Sequence, residues 1–208
     1  TYMLLFYRWF MLLKVQAVGL SLTRVLISFL GGIFFSLFLP STIGGDIARS
    51  IDLGAYIKRH SVIIASVLLD RLSGFVGLLL VAIFSLVLGA GFIDEAVVYI
   101  LVLFMVFILI AVFVILFNNK IYRRISRSAH KEGSLKDNLR KLHSQMYFFK
   151  SKPRVLFINL LYSVVCQIGS AVSSYYMLLA MGVNVSIVYL LVINPIIILI
   201  SMLPVSIG

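Results

Sequence analysis

A single cysteine, Cys166, lies inside an apolar run, which excludes an internal disulfide framework and a thiolate-built metal centre. Charge is scarce too. Asp, Glu, Lys and Arg make up 12% of the 208 residues, about half the share of a soluble domain. Hydrophobic residues reach 62%, with a mean hydropathy of +1.13, so the composition excludes an ordinary soluble globule and predicts an all-α, polytopic helical membrane protein. Acids are scarcest, seven against eighteen Lys and Arg. A net charge of +11 would suit nucleic acid, but residues 118–154 hold eleven of the bases against Glu132 and Asp137. A basic loop between apolar stretches follows from the positive-inside rule and from attraction to anionic lipid, so anionic membrane lipid is the expected partner and nucleic acid is not. No metal or cofactor is expected: His60, His130 and His143 show no ligand spacing and read as solvated.

The apolar runs come in order along the whole chain. Residues 1–24 carry Tyr7, Arg8, Trp9 and Phe10, an aromatic and cationic cluster that reads as a truncated span or an interfacial helix. Val25 to Leu39 predicts a helix of 15 residues, about 22 Å long at 1.5 Å per residue, against a hydrocarbon core of roughly 30 Å. It therefore either crosses as a short helix or dips in and turns back. Ile47 to His60 predicts a helix ending at the cytoplasmic surface. Between Ser61 and Ala90 the only charges are Asp70 and Arg71, about 13 Å in if the helix enters the core near Ser61. Ser73, Gly74 and Gly77 give that helix a small face for close packing.

A turn at Gly89 to Glu95 precedes an uncharged span at Ala96 to Phe117. In the basic loop, Leu135, Leu139, Leu142, Met146 and Phe149 recur at spacings of four and three, an amphipathic helix that lies on the inner leaflet or packs on the protein. Val155 to Gly208 holds no charge and has room for two spans with a turn near Met181 to Asn184. Gly169, Ser170, Ser173 and Ser174 give the first a small face, and Asn194-Pro195 interrupts the second. Lys and Arg gather in 46–60 and 118–154 and are absent from 89–95 and 181–184, which places the former in the cytoplasm and the protein in the cytoplasmic, or inner, membrane. Residues 1–208 read as one transmembrane domain, a fragment of a longer chain, with a basic cytoplasmic insertion at 118–154.

Two short segments punctuate these runs. Leu39-Pro40-Ser41-Thr42-Ile43-Gly44 is echoed by Leu203-Pro204-Val205-Ser206-Ile207-Gly208, with Leu, Pro, Ile and Gly in register. Paired proline- or glycine-broken segments of this kind mark substrate sites in transporters, so broken or re-entrant segments are expected at both. Together with Gly45, Asp46 and Arg49, and with Leu69-Asp70-Arg71-Leu72 and Gly74, they make the chain resemble the lysylphosphatidylglycerol synthase transmembrane family, which includes the flippase half of the multiple peptide resistance factor proteins. The resemblance implies handling of a lipid or lipid-linked substrate, most concretely its movement between leaflets.

Pro40, Gly44, Gly45, Asp46, Arg49, Asp70, Arg71, Pro204 and Gly208 are the expected substrate-binding positions; no catalytic residue is expected. Two glycines ahead of a helix start offer backbone donors to a phosphate, and Arg49 or Arg71 adds bidentate contacts. The alternative is that these charges are ion pairs that only fix packing. The expected function is a flippase-like carrier of a phospholipid or polyprenyl-phosphate headgroup. A membrane-embedded lipid-modifying transferase, or the membrane subunit of one, is the alternative; a scaffold docking through the basic loop and a homo-oligomer are also compatible with the sequence.

Overall fold

Apolar sequence with almost no charge leaves the backbone only its own helix to bond with once water is excluded. In the computed structural model, residues 2–16, 19–38, 42–88, 96–117, 141, 144–149 and 151–202 are described; among them helices account for the regular structure and there is no strand. The helices are α1 (Tyr2–Val15), α2 (Leu22–Ser36), α3 (Thr42–Ile57), α4 (His60–Leu88), α5 (Ala96–Phe117), α6 (Pro153–Ala180) and α7 (Ile187–Met202). A short helical stretch at 144–149 precedes α6. The uncharged span predicted at Ala96 to Phe117 and the turn predicted near Met181 are both present. Gly182 makes that turn with a φ of +78°, in the left-handed region.

Local chemistry sets the boundaries. Ser21 caps α2, its Oγ accepting from the Arg24 backbone N–H at 3.3 Å. Pro153 opens α6, where a missing N–H costs no helical bond. The apolar segments His60–Val87 and Pro153–Ala180, each 28 residues, are long enough to cross a bilayer at about 42 Å.

Helix α4 is central and packs against α1, α3, α5, α6 and α7. Helices α2 and α3 run antiparallel: Gly32 lies beside Gly45, Ser28 Oγ donates to the Arg49 carbonyl at 3.5 Å, and Arg24 pairs with Asp52 at 2.6 Å. A Cβ on Gly45 would come 2.3 Å from the Gly32 carbonyl oxygen, so hydrogen is the only side chain that fits. Helices α4 and α6 approach as closely where Gly77 meets Ser163, as the small face predicted for α4 requires. Phe6, Trp9, Leu13, Val25, Phe29, Leu53, Ile63 and Val67 form the core shared by α1 to α4.

Four expectations change and one open alternative is settled. Helix α1 is no interfacial helix, because Arg8 and Trp9 are buried among its neighbours. Helix α2 starts three residues earlier than predicted and takes in Arg24, whose charge is met by Asp52 and the face of Tyr56. Gly44 and Gly45 lie inside the first turn of α3 rather than ahead of it. At the end of the predicted amphipathic stretch, Met146 and Phe149 are buried against Leu12, Ala65 and Leu69, so that end packs on the protein. Helix α7 continues through Pro195. Pro40, Pro204, Gly208, His130, His143, the turn at 89–95 and residues 118–140 lie outside the described residues.

The glycine contact generates a test. Gly45→Leu should lower the unfolding midpoint of the detergent-solubilised protein by at least about 3 kcal/mol of stability, at the upper end of overpacking costs, because backbone rather than a flexible side chain blocks it. Gly44→Ala, one position along in the same helix, should be neutral or stabilise by up to about 1 kcal/mol. Equal midpoints for the two variants would show that α2 and α3 are not held this closely.

Candidate functional site

Five ionic side chains converge where α1, α3 and α4 meet. Asp46 and Arg49 are one turn apart on α3, Asp70 and Arg71 are adjacent on α4, and Arg8 reaches in from α1. They form a chain of alternating sign. Arg8 Nε donates to Asp70 Oδ1 at 2.7 Å, Arg49 Nη2 lies 3.6 Å from Asp70 Oδ2 and 2.9 Å from Asp46 Oδ1, and Arg71 Nε donates to Asp46 Oδ2. Arg8 and Asp70 are each 4% exposed and Arg49 is 5% exposed. Asp70 lies ten residues into α4, about 15 Å along its axis.

Neighbours hold each group in place. Arg8 Nη1 donates to Ser163 Oγ at 2.9 Å, and Ser163 Oγ donates in turn to the Asn159 carbonyl at 2.9 Å. That guanidinium packs over Gly74, where a Cβ would stand 3.4 Å from Arg8 Nη1, in ordinary contact. The Arg49 guanidinium carbon lies 4.3 Å from the centroid of the Trp9 ring, within cation–π range, and Trp9 Nε1 donates to Ser66 Oγ at 3.1 Å. Trp9 thus offers Arg49 a π-face where the carboxylates do not reach.

A cavity of about 280 Å³ opens onto this chain of charges. Its polar wall is Arg8, Asp46, Arg49, Asp70 and Arg71; its apolar wall includes Leu5, Phe29, Ile33 and Leu37. It reaches toward Tyr2 and Leu37, at the ends of α1 and α2 opposite the α3–α4 turn. A second cavity of about 180 Å³ lies on the α6 and α7 side and shares Leu5, Arg8 and Arg71 with the first.

Of the nine positions expected from the sequence, the structure brings together Gly45, Asp46, Arg49, Asp70 and Arg71 around one cavity. Gly44 stands in the first turn of α3 and is not among the lining residues described; Pro40, Pro204 and Gly208 lie outside the described residues. Arg8 was missed. Its neighbours Tyr7, Trp9 and Phe10 suggest a membrane interface, whereas its spacing from Leu5 and Leu12, three and four residues away, marks a single inward stripe. Among the described residues no cluster of His, Cys, Asp and Glu could hold a metal ion.

Removing one member of a buried ion pair leaves the other charge uncompensated at a cost of about 3–5 kcal/mol, whereas an apolar replacement of both is often neutral. Arg8→Ala should therefore destabilise the detergent-solubilised protein by that amount, and Arg8→Met combined with Asp70→Leu should recover part of it. An Arg8→Ala variant that unfolds with the wild type would contradict the buried pairing.

The family model described as the lysylphosphatidylglycerol synthase TM region matches residues 1–208. No curated protein and no solved structure matches the chain. The match spans every helix that builds the ionic cluster, and the chain belongs to the lysylphosphatidylglycerol synthase transmembrane-region family.

Proposed function

We propose that the protein carries the phosphate-bearing headgroup of a membrane lipid through the cavity at Arg8, Arg49 and Arg71, moving the lipid between leaflets. The observation that carries this reading is the cavity's division into an ionic wall of three arginines and two aspartates and an apolar wall of Leu5, Phe29, Ile33 and Leu37. A lipid has the same division. Guanidinium groups are suited to phosphate oxygens, which they meet with paired N–H donors, and ionisable groups held at membrane depth are functional by default. Packing alone is served as well by apolar residues as by buried ion pairs, so five charges around an open cavity, three of them buried, favour a ligand.

The carboxylates have a separate task. Asp46 and Asp70 hold the arginines in place while the cavity is empty, and a phosphate competes with them for the same N–H groups. Exchange of one anion for another keeps every guanidinium paired throughout, which makes both binding and release accessible. Helices α2 and α3, with 15 and 16 residues, are about 22 and 24 Å long, short of a full crossing of roughly 30 Å. We read them as a re-entrant hairpin whose far end faces the cavity mouth. The exposed Lys58, Arg59, Lys152 and Arg154 gather at the starts of α4 and α6, and the positive-inside rule assigns that end to the cytoplasm of a cell whose inner membrane holds the protein.

Leaflet exchange of acyl-labelled phosphatidylglycerol, followed by dithionite quenching in proteoliposomes that hold the full-length protein, tests the reading. Arg71→Ala should slow exchange at least about tenfold, the loss of one charge-assisted contact, while the unfolding midpoint confirms a folded protein. Equal exchange by wild type and Arg71→Ala would contradict it. Wild-type rates no higher than those of empty vesicles would move the assignment to a membrane-embedded transferase or its membrane subunit.

A further inference from the structure

The second cavity differs from the first in one respect that bears on substrate choice. It is bounded by α1, α4, α6 and α7, and it shares Arg8 and Arg71 with the first cavity, so the two spaces meet at the same guanidinium groups. Asp46 and Asp70 line the first cavity. No carboxylate lines the second among the described residues.

What lines it instead is neutral and able to hydrogen-bond. Gln167 brings an amide with donors and an acceptor, and Ser170 brings a hydroxyl. Asn194 Nδ2 donates to Ser170 Oγ at 3.1 Å, which occupies an oxygen lone pair and leaves the hydroxyl hydrogen to be donated elsewhere. Phe75, Leu78 and Ile198 add apolar walls against which C–H surfaces can pack. A group placed here has donors, acceptors and apolar contact, with two arginines at the entrance.

From this we infer that the second cavity is the headgroup subsite, and that it takes an uncharged, hydroxyl-bearing headgroup such as a glycerol or a sugar, attached to the phosphodiester held at Arg8 and Arg71. The inference rests on the proposed lipid-carrying function and narrows its substrate. An ammonium group would enter beside Arg8 and Arg71, and the carboxylates paired with them, Asp70 and Asp46, line the first cavity rather than the second. The cluster of three arginines and two aspartates carries a net positive charge, which disfavours a further cation and helps decide between otherwise similar lipids. A glycerol or sugar hydroxyl meets Gln167 and Ser170 instead. The chain is thereby set against aminoacylated and ethanolamine lipids, although its family is named for a lysylated one.

The test compares three lipids that share acyl chains, label and phosphodiester: phosphatidylglycerol, phosphatidylethanolamine and lysyl-phosphatidylglycerol. Exchange of each is measured in proteoliposomes with the full-length wild type, Gln167→Leu, Gln167→Glu and Arg71→Ala. The wild type should move phosphatidylglycerol at least about tenfold faster than either aminated lipid. Gln167→Leu should slow phosphatidylglycerol severalfold. Gln167→Glu places a carboxylate on this wall and should raise exchange of the aminated lipids relative to phosphatidylglycerol, a reversal that a misfolded protein cannot produce.

Equal wild-type rates for all three lipids, each abolished in Arg71→Ala, would overturn the headgroup assignment while leaving the phosphate site standing. A preference that Gln167→Glu does not alter would overturn it as well. Rates at the level of empty vesicles for every lipid would remove the carrier reading itself, and the inference with it.

Discussion

A guanidinium group inside an apolar bundle must have a carboxylate beside it, and most of what is distinctive in this fold follows from meeting that requirement three times with two acids. Arg8, Asp70, Arg49, Asp46 and Arg71 alternate in sign because any other order would set like charges together in a medium that screens them poorly. That order fixes how α1, α3 and α4 sit against one another. It also explains the small residues nearby. Gly32 and Gly45 let α2 lie flat on α3, and Gly77 lets α6 bring Ser163 within reach of the Arg8 guanidinium. Trp9 then covers Arg49 with an aromatic face.

The parts of this arrangement visible in the sequence are those that break an otherwise apolar pattern. Asp46, Arg49, Asp70 and Arg71 interrupt long uncharged runs, and an interruption that expensive in a membrane is readable without coordinates. Ala96 to Phe117 is bounded by polar residues on both sides, so its helix could be placed from composition. Arg8 was not legible because its company is aromatic, and an aromatic and cationic cluster is what a membrane interface also looks like. Beyond its faint spacing from Leu5 and Leu12, what distinguishes the two is the position of Asp70 and Ser163 across the bundle, and neither lies near Arg8 in sequence. The start of α2 was misplaced for a related reason. Arg24 looks like the end of a polar segment until Asp52 and Tyr56, about thirty residues on, are seen to receive it.

The helical membrane architecture and the family are properties of the whole chain. The reading of the cavity as a path for a lipid headgroup rests on chemistry: paired N–H donors for phosphate, carboxylates that hold those donors when no phosphate is present, and an apolar wall beside them. The second cavity extends that logic, since the arginines common to both spaces would sit at the junction between phosphate and headgroup.

Trp9 is the only tryptophan in the chain, it is fully buried, and its ring lies against Arg49, so the protein carries its own reporter of the ionic cluster. The most direct measurement is the Trp9 contribution to emission, taken as the difference between the full-length protein and its Trp9→Phe variant in uncharged detergent, titrated with phosphatidylglycerol and, separately, with diacylglycerol, which has no phosphate. An anion that draws Arg49 away from its partners should change the emission saturably with phosphatidylglycerol, and Arg71→Ala should shift the midpoint to higher lipid concentration. Emission that ignores both lipids, or responds to both alike in wild type and Arg71→Ala, would contradict a phosphate site at the arginines.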